Sequence, residues 1–532
     1  MRTLNPIILQ FGLLVLGTGL TRAQSPATSS DTALVMPFEN ASRAPGLEWI
    51  SEAFAELLTQ RLSSPGIFVL RRDDRLRAYD RAGMPVDVHP TRATTYRLVE
   101  QMDVDYVVFG RYTFDGRTFT ATAQLLDMQH KKLLPESKES GPLVELINIQ
   151  TALAWDLVHT LRPDLTSSKQ AYATSAPPVR LDAFENYVRG IIAGTSTEKI
   201  HHFREATRLN PSYNDAWLEL GKTYFEDRQY DQAVSAFAQI AQSDPAAREG
   251  NFYLGLSAYS LGDFSRARSA FAFVSARLPL TEVDNNLGVV MARLGDRTGA
   301  ATRFEKAVQQ DPNDGDYRFN LGVALYASGD SARAARPLKA CLALHPDDAE
   351  AASLLDAISG KARPTNQPKT PLERIKRNYD ENSFRQLIVA IETAAEERLA
   401  HTDPATHAQF YLSRGQEFLA KGFIFEADKA FRQALALVPL NAEAHAGLAH
   451  ALEANDDLTG ARAEAEAALS IRIFIDPLLV LARLDLRDNK ADAAAESVDR
   501  ALQLDPGNAT ALTLRRAVAA KLAEKAQPLP NE

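Results

Sequence analysis

Along most of this chain, apolar residues recur at helical spacing in short segments separated by polar turns. From Trp217 to Pro346 the pattern also repeats on a longer period. Pro245, Pro279, Pro312 and Pro346 stand 34, 33 and 34 residues apart, and Pro211 extends the series back by another 34. Gly221, Gly255, Gly288 and Gly322 keep the same step, as do Ala233, Ala267, Ala300 and Ala334. Phe237, Phe271, Phe304 and Leu338 follow four residues after the alanines. The spacing predicts pairs of antiparallel helices. The glycines and alanines let the two helices approach closely, the larger residue fills the space between them, and proline ends the pair. Asn214, Asp348, Asn441 and Asn508 stand where a helix N-cap is expected. One pair cannot bury its own apolar face, so the units must stack.

The first part of the chain has a different rhythm. Ala33–Phe38 reads as a strand, Leu47–Leu62 as a helix, Ile67–Leu70 as a strand and Thr91–Met102 as a helix. Val104–Phe114 and Thr118–Leu126 read as strands around Asp115-Gly116, a two-residue hairpin signal. A further strand ends at Leu133, and Leu143–Leu161 is an amphipathic helix. The expected fold class is therefore mainly α: a helical solenoid preceded by a small α/β domain spanning residues 32–162.

Composition shifts divide the rest. Residues 163–181 read as a linker. Residues 182–358 form a first helical block, opened by an irregular unit with Tyr187, Gly190, Phe203 and Ala206. Residues 359–371, with Pro364, Pro368 and Pro371, read as a second linker, and Arg374, Lys376 and Arg377 beyond it as a solvated basic face. Residues 372–525 form a second block: a helical segment Ser383–Leu399, three further units and a polar capping helix Thr510–Glu524. The two blocks are expected to be separable.

The chain has 532 residues, 45% hydrophobic and 24% charged, with a net charge of −9. That balance argues against a nucleic-acid binder that relies on phosphate contacts. Arg2, the apolar run Ile7–Leu20 and the small residues Thr21 and Ala23 read as an export signal cut after residue 23. The expected location is the periplasm, with anchoring through residues 6–20 as the alternative. Cys341 is the single cysteine and occupies a small-residue position inside a helix pair, so it is expected to be a buried apolar residue. No catalytic constellation, phosphate loop or metal-ligand spacing stands out, and no cofactor or small-molecule substrate is expected. Asp73, Asp74, Asp80 and His89 are the local candidates for a hydrolase site, at a spacing that matches no mechanism.

Trp217, Leu220, Gly221, Tyr224, Ala233, Phe237 and Pro245 resemble the signature of the tetratricopeptide repeat. The motifs Leu34–Asn40, Asp105–Gly110 and Leu125–Asp127 resemble the amino-terminal domain of the TolB family, although that family continues into a β-propeller. The first resemblance implies a concave surface that binds a protein partner, and the second implies a cell-envelope setting. The tetratricopeptide resemblance also implies that Asn286 and Asn320, equivalent in consecutive units, face the groove and can hold the backbone of an extended peptide. Phe225, Phe252, Tyr259, Phe319 and Tyr326 would line the groove or its rim as partner-binding aromatics. Three roles compete: a non-enzymatic envelope scaffold, an accessory subunit of an envelope enzyme or export complex, and a hydrolase.

Overall fold

The computed structural model describes residues 31–42, 44–63, 67–85, 88, 90–102, 104–163, 168–174, 179–278, 280–360, 373–381, 399, 402–421, 423–455 and 457–526. The expected export signal, the helical segment from Ser383 and most of the second linker lie outside the described residues.

The amino-terminal region is a mixed sheet covered by helices. Strands β1 (Asp31–Val35), β2 (Glu39–Asn40), β3 (Ile67–Leu70), β4 (Tyr106–Phe114), β5 (Phe119–Asp127), β6 (Lys132–Leu133) and β7 (Ser137–Gly141) interleave with helices α1 (Trp49–Leu62), α2 (Arg72–Arg81), α3 (Arg92–Glu100) and α4 (Leu146–Leu161). The sheet runs β3-β1-β4-β5-β6, with β2 added to β4 and β7 to β5. β1 lies parallel to both β3 and β4, whereas β4 and β5 are antiparallel. β5 alternates buried and half-buried residues along its whole length, the signature of a strand with one face on a core.

Local details depart from the sequence reading. The β4–β5 turn is a four-residue loop, since Phe114 pairs with Phe119. The Asp115 carboxylate accepts hydrogen bonds from the Arg117 and Thr118 amides, and Gly116 takes the left-handed conformation. The aspartate thus builds a wider turn than the dipeptide signal implied. The strand expected over Ala33–Phe38 is interrupted at Met36–Phe38, where the Phe38 amide bonds to the Ser51 carbonyl instead of a neighbouring strand. The region read as a linker contains a short helix, α5 (Lys169–Thr174). Lys169 pairs there with Glu139 and Asp156, and the Tyr172 hydroxyl donates to the Arg61 carbonyl.

The helical array begins with α6 (Leu181–Ile192) and α7 (Ser196–Leu209), then α8 (Asn214–Glu226) and α9 (Tyr230–Phe237). It continues with α10 (Ala246–Ser260), α11 (Phe264–Ser275), α12 (Thr281–Arg293), α13 (Arg297–Gln310), α14 (Gly315–Ala327), α15 (Ser331–Leu344) and α16 (Ala349–Ile358). The glycine positions are used as expected. A Cβ added at Gly221 would lie 2.4 Å from the Phe237 ring, and one at Gly288 would lie 2.8 Å from Phe304. Asp348, Asn441 and Asn508 cap their helices. Asn214 does not: its side chain spans to the next turn, accepting from the Ala241 amide and donating to Asp244.

The α/β region and the first repeats share one core. Trp49, Phe54 and Leu58 of α1 join Leu153 and Leu157 of α4, Phe184 and Val188 of α6, Phe203 of α7 and Leu220 of α8 in a single buried cluster. No apolar gap separates the two regions, so the sequence boundary is not a packing boundary.

The second block comprises helices Pro404–Lys421, Ile424–Leu437, Ala442–Ala454, Leu458–Ile471, Ile475–Arg487, Ala491–Leu504 and Ala509–Ala526. It touches the first: Phe423 packs into the cluster around Phe252 and Leu287, and the Ile424 amide bonds to the Arg277 carbonyl.

Candidate functional site: the concave groove

Within each unit the first helix carries a glycine or alanine that admits its partner, and this fixes which residues face the groove. Two positions before Gly288 and Gly322 stand Asn286 and Asn320, both fully buried. What buries them is the chain itself. Residues Glu373–Glu381 cross the groove as an extended strap that runs from α14 towards α10.

The contacts form a reciprocal amide clamp. The Arg374 amide donates to Asn320 Oδ1 at 2.6 Å, and Asn320 Nδ2 donates back to the Arg374 carbonyl at 2.7 Å. One unit away, the Lys376 amide donates to Asn286 Oδ1 and Asn286 Nδ2 to the Lys376 carbonyl, both at 2.7 Å. Residues two apart on an extended chain present their backbone groups the same way. Consecutive asparagines, one helix pair apart, therefore meet consecutive members of that set. Asn285 was not singled out from the sequence, yet it ties the two together. It donates to the Arg374 carbonyl at 3.0 Å and accepts from Asn320 Nδ2 at 2.8 Å.

Side chains add a second layer. The Arg374 guanidinium lies over the Phe319 ring, 3.7 Å from its centroid. Its edge meets Asp348 through two hydrogen bonds of 2.7 and 2.8 Å, and it also reaches Asp316 and Glu350. This forked pairing suits guanidinium and not ammonium. Lys376 meets Asp314 and Asp316, each at 2.7 Å, and lies over Tyr317. Ile375 packs on the apolar clusters containing Leu287 and Leu321. Tyr379 packs on Phe252, ring centroids 5.1 Å apart. The ends are pinned by opposite charge: Glu373 with Arg293 at 3.3 Å, Glu381 with Arg248 at 2.9 Å.

The electrostatics follow. Hydrogen bonds from Arg374 hold the Asp348 carboxyl down to about 2, although burial opposes them. Burial pushes Asp316 up, but its bonds to Lys376 and Arg374 outweigh that and leave it below the usual carboxylate range. Burial lowers Lys376, and Asp314 and Asp316 more than reverse it, so its ammonium is held above its ordinary value.

These acids carry a signal in the sequence that the asparagines obscured. Asp215, Glu249, Glu282, Asp316 and Glu350 are spaced 34, 33, 34 and 34 apart, one per unit, and Asp314 and Asp348 are also 34 apart. They look like first-turn acids that favour a helix N-terminus. In the folded chain they also form a column along the groove. Glu282 accepts from the Asp380 amide at 3.1 Å, and Glu249 pairs with Lys222.

The expected groove aromatics divide. Phe252 and Phe319 touch the strap. Phe225 packs on Tyr230 and Tyr253, and Tyr259 on Phe264, both within the repeat array. Tyr326 joins the clusters around Leu321 and Leu338. The solvated basic face expected at Arg374 and Lys376 is corrected: both are bound in the groove because four carboxylates (Asp314, Asp316, Asp348 and Glu350) converge on two cations. Only Arg377 of that trio is exposed. Residues 373–381 likewise belong with the first block, where the sequence placed them in the second.

Elsewhere the candidates have structural roles. Cys341 is fully buried, and burial together with Asp348 pushes its thiol up to about 11. Asp74 caps α2, accepting from the Arg71 amide, while Asp73 and Asp80 are exposed and His89 lies outside the described residues. Among the described residues no helix is long and apolar enough to cross a membrane.

Comparison with known proteins bears on the repeats. Models of the tetratricopeptide repeat match residues 200–247, 218–277 and 412–475, and a second such model matches 292–358. The chain carries tetratricopeptide repeats in both blocks, a fold used for protein–protein interaction. Among solved structures, MamA is 18% identical over 32% of this chain and 94% of that chain, with a TM-score of 0.29. YrrB, titled a TPR protein with an unusual peptide-binding site, is 19% identical over 34% of this chain and 93% of that one, with a TM-score of 0.30. BBS4 of Xenopus tropicalis, a BBSome complex member, is 26% identical over 132 residues. That match covers 24% of this chain and only 25% of the relative's length.

Proposed function

We propose that this chain is a non-enzymatic interaction scaffold of the bacterial cell envelope, and that the groove of its first block holds an extended segment of a protein partner. The observation that carries the reading is the reciprocal bonding of Asn286 and Asn320 to the backbone of an extended strap. Each asparagine satisfies one amide and one carbonyl of the same residue, a geometry indifferent to which side chain that residue carries. A site that reads backbone by two amides one repeat apart suits peptides in general. The envelope setting is supported by the export-signal pattern of residues 1–23 and by the TolB-like motifs between Leu34 and Asp127. N-terminal sequencing of the mature protein tests the setting; recovery of Met1 on a cytosolic species would remove it. Partner capture from envelope extracts by the wild type and by the double variant Asn286→Ala/Asn320→Ala tests the groove. The double variant should lose a partner that the wild type retains, with helicity by circular dichroism unchanged. Equal capture by both would place the binding surface elsewhere.

A further inference from the structure

The strap does more than demonstrate that the groove accepts an extended chain. Its composition matches the groove position by position. Arg374 has a ring beneath it and acids around its edge; Lys376 has two acids; Ile375 between them has an apolar bed; Tyr379 has Phe252. The acids outnumber the cations they hold. They also continue past the strap's basic half: Glu282 accepts from the Asp380 amide, and Glu249 is held by Lys222 and Arg71 towards the α/β end. We infer that the groove selects a cationic extended segment of a partner protein, with an arginine and a lysine two residues apart and an aromatic ring three residues after the lysine. Residues 373–381 are the chain's own competitor for it. This rests on the groove being the partner site. It adds the chemistry of the partner and a reason for it to bind conditionally: the partner gains access only by displacing the strap. A competitor held in place lowers the apparent affinity of the incoming segment by the fraction of molecules whose groove is open.

The test uses the full chain and a labelled synthetic peptide with the sequence of residues 373–381, followed by fluorescence anisotropy. The variant Arg374→Glu/Lys376→Glu expels the strap while leaving every groove residue in place. It should bind the peptide at least about tenfold more tightly than the wild type. Adding Asn286→Ala/Asn320→Ala should abolish that gain. A peptide with the same two charge reversals should not bind, and raising the salt concentration should weaken the matched peptide. Should the strap-expelled chain fail to fold, hydrogen exchange on the wild type decides. Excess isotope-labelled peptide must speed exchange at the chain's own Arg374 and Lys376 amides. The inference is overturned if a folded strap-expelled chain binds the peptide no better than the wild type, or if those amides stay protected under saturating peptide. The strap is then a fixed part of the fold. That failure is distinct from failure of the scaffold reading, which is decided by partner capture with the asparagine double variant. Concentration-dependent dimers of the wild type that vanish on strap expulsion would make a second copy's strap the occupant and overturn the choice of a separate partner.

Discussion

In the first block the position two before the helix-pairing glycine reads Glu219, Tyr253, Asn286 and Asn320; in the second it reads Ser413, Gly447 and Val480, with no asparagine. The knob that fills each pair changes as well. Phe237, Phe271 and Phe304 face glycines in the first block, whereas among the described residues of the second only Phe431 does, wedged against Gly415 and Gly447. Further along, Ala465 and Val498 take the knob position and Ala449 and Ala482 stand where glycine would be. Knob and hole change together, because a smaller knob leaves room for the Cβ that glycine lacks. The groove columns do not compensate in this way. Without an amide there is no reciprocal clamp, and Glu443, equivalent to Glu282, is spent on Arg472 at 2.5 Å. The two blocks teach that the stacking of this repeat tolerates wide substitution so long as volume is kept, while binding content resides in two or three columns that stacking leaves free.

Several measurements would break or sharpen the contrast. The largest effect is expected from Phe304→Ala, which removes a fully buried knob facing a glycine and leaves a cavity. About 3–5 kcal/mol should be lost from the first block by chemical denaturation. A comparable loss from Ala465→Gly in the second block would contradict the idea that its smaller knobs carry less packing.

Next is Asn286→Ala/Asn320→Ala. Four hydrogen bonds to the strap backbone are lost, each worth about 0.5–1.5 kcal/mol net, while Asn285 keeps its bond to the Arg374 carbonyl. The strap should loosen: trypsin should then cut after Arg374 and Lys376, positions resistant in the wild type. Ser413→Ala, at the equivalent place in the second block, should leave the digest unchanged. Persistent resistance in the double variant would show that the side-chain ion pairs alone retain the strap.

Arg374→Lys keeps the charge and loses the fork on Asp348 and the ring contact. A loss of about 1 kcal/mol in strap closure is expected, read as faster exchange at the Lys376 amide. No change would reduce the arginine site to a generic cation site.

The pH dependence differs between regions as well. Asp348 is depressed to about 2 by Arg374, so its contribution is complete above its ordinary value of 3.8 and is lost as pH falls through about 2. Strap protection should therefore fade in acid before the second block melts. Glu56 on α1 has the opposite sign. Burial, then the neighbouring Glu52, raise it to about 8 against the opposing fields of Arg75 and Arg72. Its contribution is complete below 4.5 and is lost as pH rises through about 8. Glu56→Gln should therefore raise the melting temperature of the shared core at pH 9 and leave it nearly unchanged at pH 4.

The repeat period, the Gly–Phe pairing, the proline ends and the existence of a small α/β region were all determined by the sequence alone. Each rests on local spacing: a helix puts every third or fourth residue on one face, and a 34-residue step puts equivalent residues on successive helices. The same spacing made Asn286 and Asn320 equivalent in consecutive units, and the tetratricopeptide resemblance implied that they face the groove. Neither could say what they bond. The strap lies 54 to 90 residues along the chain from its asparagines, and its run of charge, following a proline-rich stretch, reads as solvated when only neighbours in sequence are considered. Only the tertiary structure brings that run against Asp314, Asp316, Asp348 and Glu350, residues whose local reading was complete as helix-start acids. It alone also merges α1 and α4 with α6 and α8 into one core, since an amphipathic face records that it must be buried and not against what. Burial is a property of pattern, legible in one dimension. The choice of partner for a buried face or a paired charge depends on which surfaces the chain's path makes meet.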